Sequence, residues 1–394
     1  MKKQTQAIHL EYERRDAYDS LSVPVYNTLA YEFDNAAVMA EAFTDKIKAP
    51  DYSRVENPTV TNLERRVAAL TDAAHATAFN SGMAAISNTL MALAAQGKNI
   101  VTSKHLFGNT YALLVATLRR FGVKVRLRDL TNIEAVREAI DDDTCCVFLE
   151  ILTNPQLEVA DLKAISEVAH EKNVPLVVDS TMIPFTQFSA KSLGVDIEVV
   201  SSSKYVSGGA TSLGGLVIDY GTPYNGDFAK RLYGEMLFNF GAYMTPQVAY
   251  MQTIGLETLD ARYRVQSSNA LELAKKLRSL PQIKYVNYVG LEDNPYHELA
   301  QRQFGKTAGA MICIDLESKE ACFSFLNNLK LIHRATNLFD NRSLAIHPAS
   351  TIFGAFSESM RKSMDVKDTT IRLSVGLEDV DDLFEDIKQA VNSL

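Results

Sequence analysis

The sequence predicts an α/β protein with a mostly parallel sheet, covered by helices on both faces and followed by a smaller α/β unit. Short apolar runs alternate with helix-period stretches from about residue 60 to residue 219, the pattern of strand–helix–strand crossovers. The runs are apolar almost throughout, as in strands buried on both sides. Beyond residue 219 two long helical stretches intervene, and strands return only at wider spacing. The 394 residues allow two or three domains, and 46% hydrophobic with 22% charged residues marks a packed globular chain.

Residues 1–60 mix polar and aromatic side chains around Pro24, Pro50 and Pro58. They read as an irregular arm that needs another surface to pack on, such as a second subunit. A helix over 62–70 places Leu63, Val67 and Leu70 at helical spacing. A strand at 76–79 then feeds an apolar helix at 82–95, which starts just after Asn80-Ser81. The alternation continues with strands at 99–102, 124–127, 145–151, 176–179 and 197–200. A further apolar run begins at Leu213. Helices fall at 109–121, closed by Gly122, and at 133–140 and 160–172. The stretches 228–240 and 246–277 read as long helices. The last part carries strands at 283–288, 310–315 and 371–374 and helices at 319–329 and 379–391. The main breaks divide the chain into an arm, 1–60, a large domain, 61–258, and a C-terminal domain, 259–394.

Composition excludes several classes. The net charge is −8 with no block of like charge, so a nucleic-acid footprint is not expected. No apolar run approaches the roughly 18–20 residues that span a bilayer, and the N-terminus lacks the apolar core of a secretory signal. Cys145, Cys146, Cys313 and Cys322 lack CxxC spacing and read as free thiols of a cytoplasmic protein. The seven histidines form no HxxxH pair, so no metal site is expected.

The chemistry concentrates in 176–219. One apolar run ends in Asp179, and the next ends in Ser201-Ser202-Ser203-Lys204 before a glycine-rich turn. Neighbouring parallel strands would bring the acid and the lysine to the carboxyl edge of the sheet, where open α/β folds bind ligands. Asn80-Ser81-Gly82-Met83 opens a helix whose N-terminus can hold an anion. Ser201 and Ser203 offer hydroxyls on one face, and a phosphate between the two elements would be well held. A lysine, an acid and a phosphate anchor are what pyridoxal phosphate requires, the acid keeping the ring nitrogen protonated. Nucleotide motifs fail: Gly305-Lys306-Thr307 lacks the preceding glycine of a P-loop, position 300 being Ala300. The run SGGATSLGG lacks GxGxxG spacing and reads as a loop passing close to the cofactor.

These stretches, with YSRVENPT (52–59), SGMAA (81–85), TNP (153–155), VVDST (177–181), SSSKYVSGG (201–209), HPAST (347–351) and RLSVGLED (372–379), resemble the pyridoxal-phosphate enzymes of cystathionine and methionine metabolism. The resemblance covers nearly the whole chain, from about Ser22. It implies the aspartate-aminotransferase-like fold, fold type I, with a seven-stranded sheet. It implies that Lys204 is the Schiff-base lysine and proton shuttle and that Asp179 pairs with the pyridine nitrogen. Ser81, Gly82, Met83, Thr181, Ser201 and Ser203 would hold the cofactor, and Phe107 would stack on its ring. Tyr52 and Arg54 would reach the phosphate of a neighbouring subunit, giving a dimer with shared sites and a tetramer of two such dimers. Arg372 would grip the substrate carboxylate, with Asn154, Asn337, Tyr52 and Arg342 nearby. His347 reads as a structural turn histidine.

Two departures from the family pattern bear on the reaction. Relatives that cleave methionine or form cystathionine usually carry a ring-stacking tyrosine where this chain has Phe107, and lyases often have a cysteine where it has Asn109. Without a phenol, expulsion of an alkylthiolate should suffer, whereas a carboxylate leaves without an acid. Tyr111 and Tyr52 are both candidates to replace the hydroxyl. Arg342 stands where those relatives often have a glutamate, and a basic residue there resembles the homoserine-ester sulfhydrylases. The expectation is an O-acetylhomoserine or O-succinylhomoserine sulfhydrylase of methionine biosynthesis, using sulfide or a small thiol. Cystathionine γ-synthase, methionine γ-lyase and a non-catalytic binding relative are the alternatives.

Overall fold

The computed structural model describes residues 1–10, 16–44, 46–306 and 308–394. Residues 11–15 and 45 of the expected arm, and Thr307 of the Gly305-Lys306-Thr307 run, lie outside the described residues. The strands β1 (His75–Phe79), β2 (Asn99–Ser103), β3 (Lys124–Arg128), β4 (Thr144–Glu150), β5 (Leu176–Asp179), β6 (Ile197–Val200) and β7 (Gly215–Asp219) form one sheet. Their order is β1-β7-β6-β5-β4-β2-β3. From β3 across to β6 all neighbours are parallel, as the alternating pattern predicts. The exception is β7, antiparallel to both β6 and β1. The loop from β6 to β7 holds one 3-10 turn, Tyr205–Ser207, and no crossover helix, so the chain doubles back. Two reversals restore the direction of β1 to that of β6. The carboxyl end of β1 therefore lies on the same edge as those of β5 and β6.

Both faces of the sheet are covered, which explains its apolar strands. Leu176, Val178, Val147 and Leu149 pack into one core, while Val177, Cys146 and Phe148 pack into the other. Each is almost wholly buried, and burial of such a side chain contributes about 1.5–3 kcal/mol. Helix ends follow local chemistry: Asn57 caps Pro58–Thr71, which has proline in its first turn, and Ser81 caps Gly82–Leu93 by accepting the Ala84 N–H.

The second sheet contains β8 (Tyr285–Asn287), β9 (Met311–Asp315), β10 (His333–Arg334), β11 (Leu344–Ile346) and β12 (Thr370–Ser374), in the order β10-β11-β12-β9-β8. The predicted C-terminal strands correspond to β8, β9 and β12. The reading missed β10 and β11, which are too short to show a period of two. The long helix expected over 246–277 is two helices, Pro246–Glu257 and Leu259–Leu277, separated at Thr258. Neither glycine nor proline marks that break. The buried Arg262 guanidinium joins it to the lysine loop, donating to the carbonyls of Gly255 and Tyr205. The arm is not wholly irregular, since Lys3–His9 and Ala36–Ala42 are short helices.

Candidate active site

The carboxyl edge of the large sheet opens onto a cavity of about 330 Å³, closed on its far side by β12 of the second sheet and the segment that joins β10 to β11. Its lining includes Ser81, Gly82, Met83, Phe107, Asn154, Asp179, Thr181, Ser201, Ser203, Lys204 and Arg372. The structure thus brings together predicted residues drawn from segments nearly 300 positions apart. Asp179 ends β5 beside β6, and its Oδ1 accepts the Thr181 N–H at 2.9 Å. Thr181 Oγ1 in turn accepts the Ser201 N–H at 2.8 Å, fixing the turn that leads to Lys204. Desolvation raises the Asp179 carboxyl above its ordinary range.

Lys204 is half-buried, and its ammonium donates to Asn337 Oδ1 at 2.8 Å. Burial, and then the Arg372 charge, lower its pKa to about 8. A much larger share of the amine is neutral and nucleophilic near neutrality than in an exposed lysine. Arg372 lies on β12 and is only 2% exposed. It donates to Asn154 Oδ1 at 3.2 Å and to the backbone oxygens of Thr336 and Asn337. Its Nε has no hydrogen-bond partner among the described residues, and burial lowers the guanidinium to about 10. A buried guanidinium bonded only to neutral oxygens is set to receive a carboxylate.

The anion end is similarly prepared. The first N–H groups of Gly82–Leu93 face away from any intrahelical acceptor. A Cβ on Gly82 would lie 2.6 Å from Ser201 Cβ and 2.7 Å from its Oγ, so only glycine lets the helix approach that hydroxyl. Ser203 behaves differently from the expectation. Its hydroxyl donates to the Gly214 carbonyl at 3.1 Å and accepts the Gly214 N–H at 2.9 Å. It ties the lysine loop to the start of β7, and its proton is already committed.

Several predicted residues lie elsewhere. Arg342 is outside the cavity lining, with its side chain 63% exposed and paired with Asp340 at 3.2 Å. Tyr52 is 41% exposed, and Arg54 stands 5.5 Å from its ring centroid while donating to the Phe238 carbonyl. Neither lines this chain's own cavity. Tyr111 packs edge-on against Phe356 and is absent from the lining as well. Gly208 and Gly209 run against Gly255 and Asn341 instead of the cavity; from their loop only Leu213 reaches it. His347 is buried between Ser350 Oγ and the Asp368 carbonyl, as a turn histidine should be. The sequence reading missed Glu150 altogether. It ends β4, opposite Asp179, and lines the same cavity. An acid closing an apolar strand was the one available signal.

A lowered lysine, a desolvated acid, a glycine-hydroxyl cradle and an orphaned buried guanidinium fit pyridoxal phosphate and an amino-acid substrate. The comparisons with known proteins agree. The model of the Cys/Met metabolism PLP-dependent enzymes matches residues 4–392. An L-methionine gamma-lyase of Fusobacterium nucleatum subsp. polymorphum is 37% identical, the match covering 99% of this chain and 98% of that protein. An O-acetyl-L-homoserine sulfhydrylase of Corynebacterium glutamicum is 32% identical over 98% of this chain and 95% of its own length. A solved Campylobacter jejuni structure, provisionally named an O-acetylhomoserine (thiol)-lyase and bearing a pyridoxyl-lysine, superposes with a TM-score of 0.95. It is 34% identical, and both chains are covered over 100% of their length.

Proposed function

The chain belongs to the Cys/Met metabolism PLP-dependent enzymes, and from that premise we propose that it replaces the γ-substituent of O-acetylhomoserine with sulfide or a small thiol. O-Succinylhomoserine is the second donor considered. The observation that carries the reading is Phe107 on the cavity wall, where the ring face is kept and the acid is missing. Expulsion of acetate needs no proton, so a site without a phenol suits an ester better than a thioether. Among the described residues Lys204 and Arg372 are the only cations lining the cavity. Both are used in this reading, which leaves no cation for the second carboxylate of a succinyl group and favours acetyl.

When bound, pyridoxal phosphate supplies an electron sink for charge developing at the substrate Cα. Gly82, Met83 and Ser201 would hold its phosphate, Asp179 would pair with its ring nitrogen, and Ser81, Thr181 and Ser203 shape the turns around them. Arg372 receives the substrate carboxylate in a two-pronged hydrogen bond, with Asn154 orienting the guanidinium. Lys204 removes the Cα proton as a neutral amine and returns protons along the substrate, and Asn337 holds its Nζ between turns. Phe107 and the apolar side chains of Met83, Ile86, Leu338 and Ile352 keep water from the reacting carbons.

Tyr52 and Arg54 lie outside this cavity, which supports a dimer in which each copy completes the other's phosphate site, and a tetramer of two dimers. No helix among the described residues is long and apolar enough to cross a membrane, and a cytoplasmic location fits this chemistry. The second reading is methionine γ-cleavage, favoured by the 37% identical γ-lyase. A phenol supplied by Tyr52 of a second copy would provide its acid. A substrate panel separates the readings: O-acetylhomoserine with sulfide, the same ester with cysteine, and methionine alone. Rapid α-ketobutyrate from methionine with negligible ester turnover would overturn the first reading. Fast cystathionine formation would favour the synthase.

A further inference from the structure

Glu150 has no part in the reaction described above, yet it is 6% exposed and lines the same cavity. Strands β4 and β5 run parallel with Glu150 directly opposite Asp179. The Phe107 N–H donates to Glu150 Oε1 at 2.5 Å. A third buried carboxyl, Glu198 on β6, lies near Asp179; burial raises its pKa too, and it accepts the hydroxyls of Tyr220, at 2.6 Å, and Ser180. Lys204 and Arg372 line the cavity without forming an ion pair with either acid among the described residues. His105, two residues before Phe107, is engaged by Glu158 at 3.0 Å and Asp365 at 2.8 Å. Two adjacent carboxyls with no cation between them cannot both ionise in a desolvated site, so one keeps its proton.

We propose that Glu150 is the acid that keeps the proton, a neutral positioning residue that anchors the Phe107 backbone and leaves Asp179 as the only anion facing the cofactor ring. Burial and strand register carry this division. Asp179 is partly open to the cavity and accepts the Thr181 N–H, whereas Glu150 is more deeply enclosed, and its enclosure outweighs the Phe107 N–H bond, which by itself favours the carboxylate. Burial first, and Asp179 second, push the Glu150 carboxyl well above the usual carboxylate range. Phe107 begins a short helix without a side-chain cap. Glu150 is the contact that sets the height of its ring over the cavity.

The proposal rests on pyridoxal phosphate binding in this cavity and on the Asp179 reading, but not on which substrate is used. It is tested on the holoenzyme by the pH titration of the cofactor's visible absorbance band and by the rate of cofactor release. Glu150→Gln keeps the acceptor and the neutral charge, so the titration midpoint should match the wild type. An ionised Glu150 would stabilise a nearby protonated form, and its loss would move the midpoint about one unit or more toward lower pH; that result overturns the proposal. Glu150→Leu removes the acceptor, and cofactor release should quicken about tenfold, the cost of one buried unpaired N–H. Release unchanged in Glu150→Leu would equally overturn it. Should the leucine variant fail to fold, the midpoint of Glu150→Gln still decides the charge state. Asp179→Asn tests the Asp179 reading separately, since an unchanged band there sinks that assignment without altering the glutamine result.

Discussion

The two walls of the cavity are built in opposite ways. The wall on the large sheet is made at the ends of adjacent parallel strands, so Asp179, Ser201 and Lys204 fall within one stretch of chain. The facing wall, with Arg372, Thr336 and Leu338, is assembled from β12 of a mostly antiparallel sheet and the segment that joins β10 to β11. There Arg372 meets Asn154 across 218 positions of sequence. A parallel sheet gathers functional groups at one edge by topology alone. A mostly antiparallel sheet gathers no such edge, and its site residues are positioned by packing against the large sheet.

The difference predicts where substitutions act. Lys204→Ala removes the first wall's reacting amine, so activity should fall by about 10²–10⁴-fold. The cofactor's visible band should disappear, and absorbance spectroscopy checks this directly. On the second wall, Arg372→Leu should lower kcat/KM about 10- to 100-fold, the worth of a charged hydrogen bond. Steady-state kinetics should place most of that loss in KM. An equal loss in kcat alone would mean that the second wall also takes part in the chemical step.

Phe107→Tyr adds the missing acid to the first wall. Methionine cleavage should rise about tenfold relative to ester turnover, measured as α-ketobutyrate release. Gly82→Ala should weaken cofactor binding about tenfold, since its Cβ meets Ser201 and overpacking of this kind costs about 1–3 kcal/mol. Equilibrium titration of the cofactor-free protein measures it.

The smallest effect couples the walls. In cofactor-free protein the Lys204 amine is protonated below about 8 and neutral above. Pyridoxal phosphate uptake, which needs the neutral amine, should therefore rise with pH through that value. Burial is the larger cause of the depression and Arg372 the second. Arg372→Leu should accordingly move the midpoint upward by a fraction of the full depression. Stopped-flow uptake across pH reads this, and an unmoved midpoint would show the walls to be electrically independent.

The sequence by itself determined the first wall. Apolar runs of strand length, interrupted by helices of period 3.6, dictate a parallel sheet, and the residues ending those runs must share its edge. Asp179, Lys204 and the Gly82 helix start were legible for that reason, and the family motifs added Arg372 and Asn154. Tertiary structure alone decided what the remaining groups do. Ser203 is committed to Gly214 and Arg342 lies at the surface beside Asp340, because hydrogen-bond partners are chosen by three-dimensional proximity. Thr258 breaks a helix with no local signal, and β10 and β11 are too short to have a period. Glu150 looked like any strand-ending acid until strand register set it against Asp179. Register is a property of the folded sheet, and it makes the two carboxyls a pair.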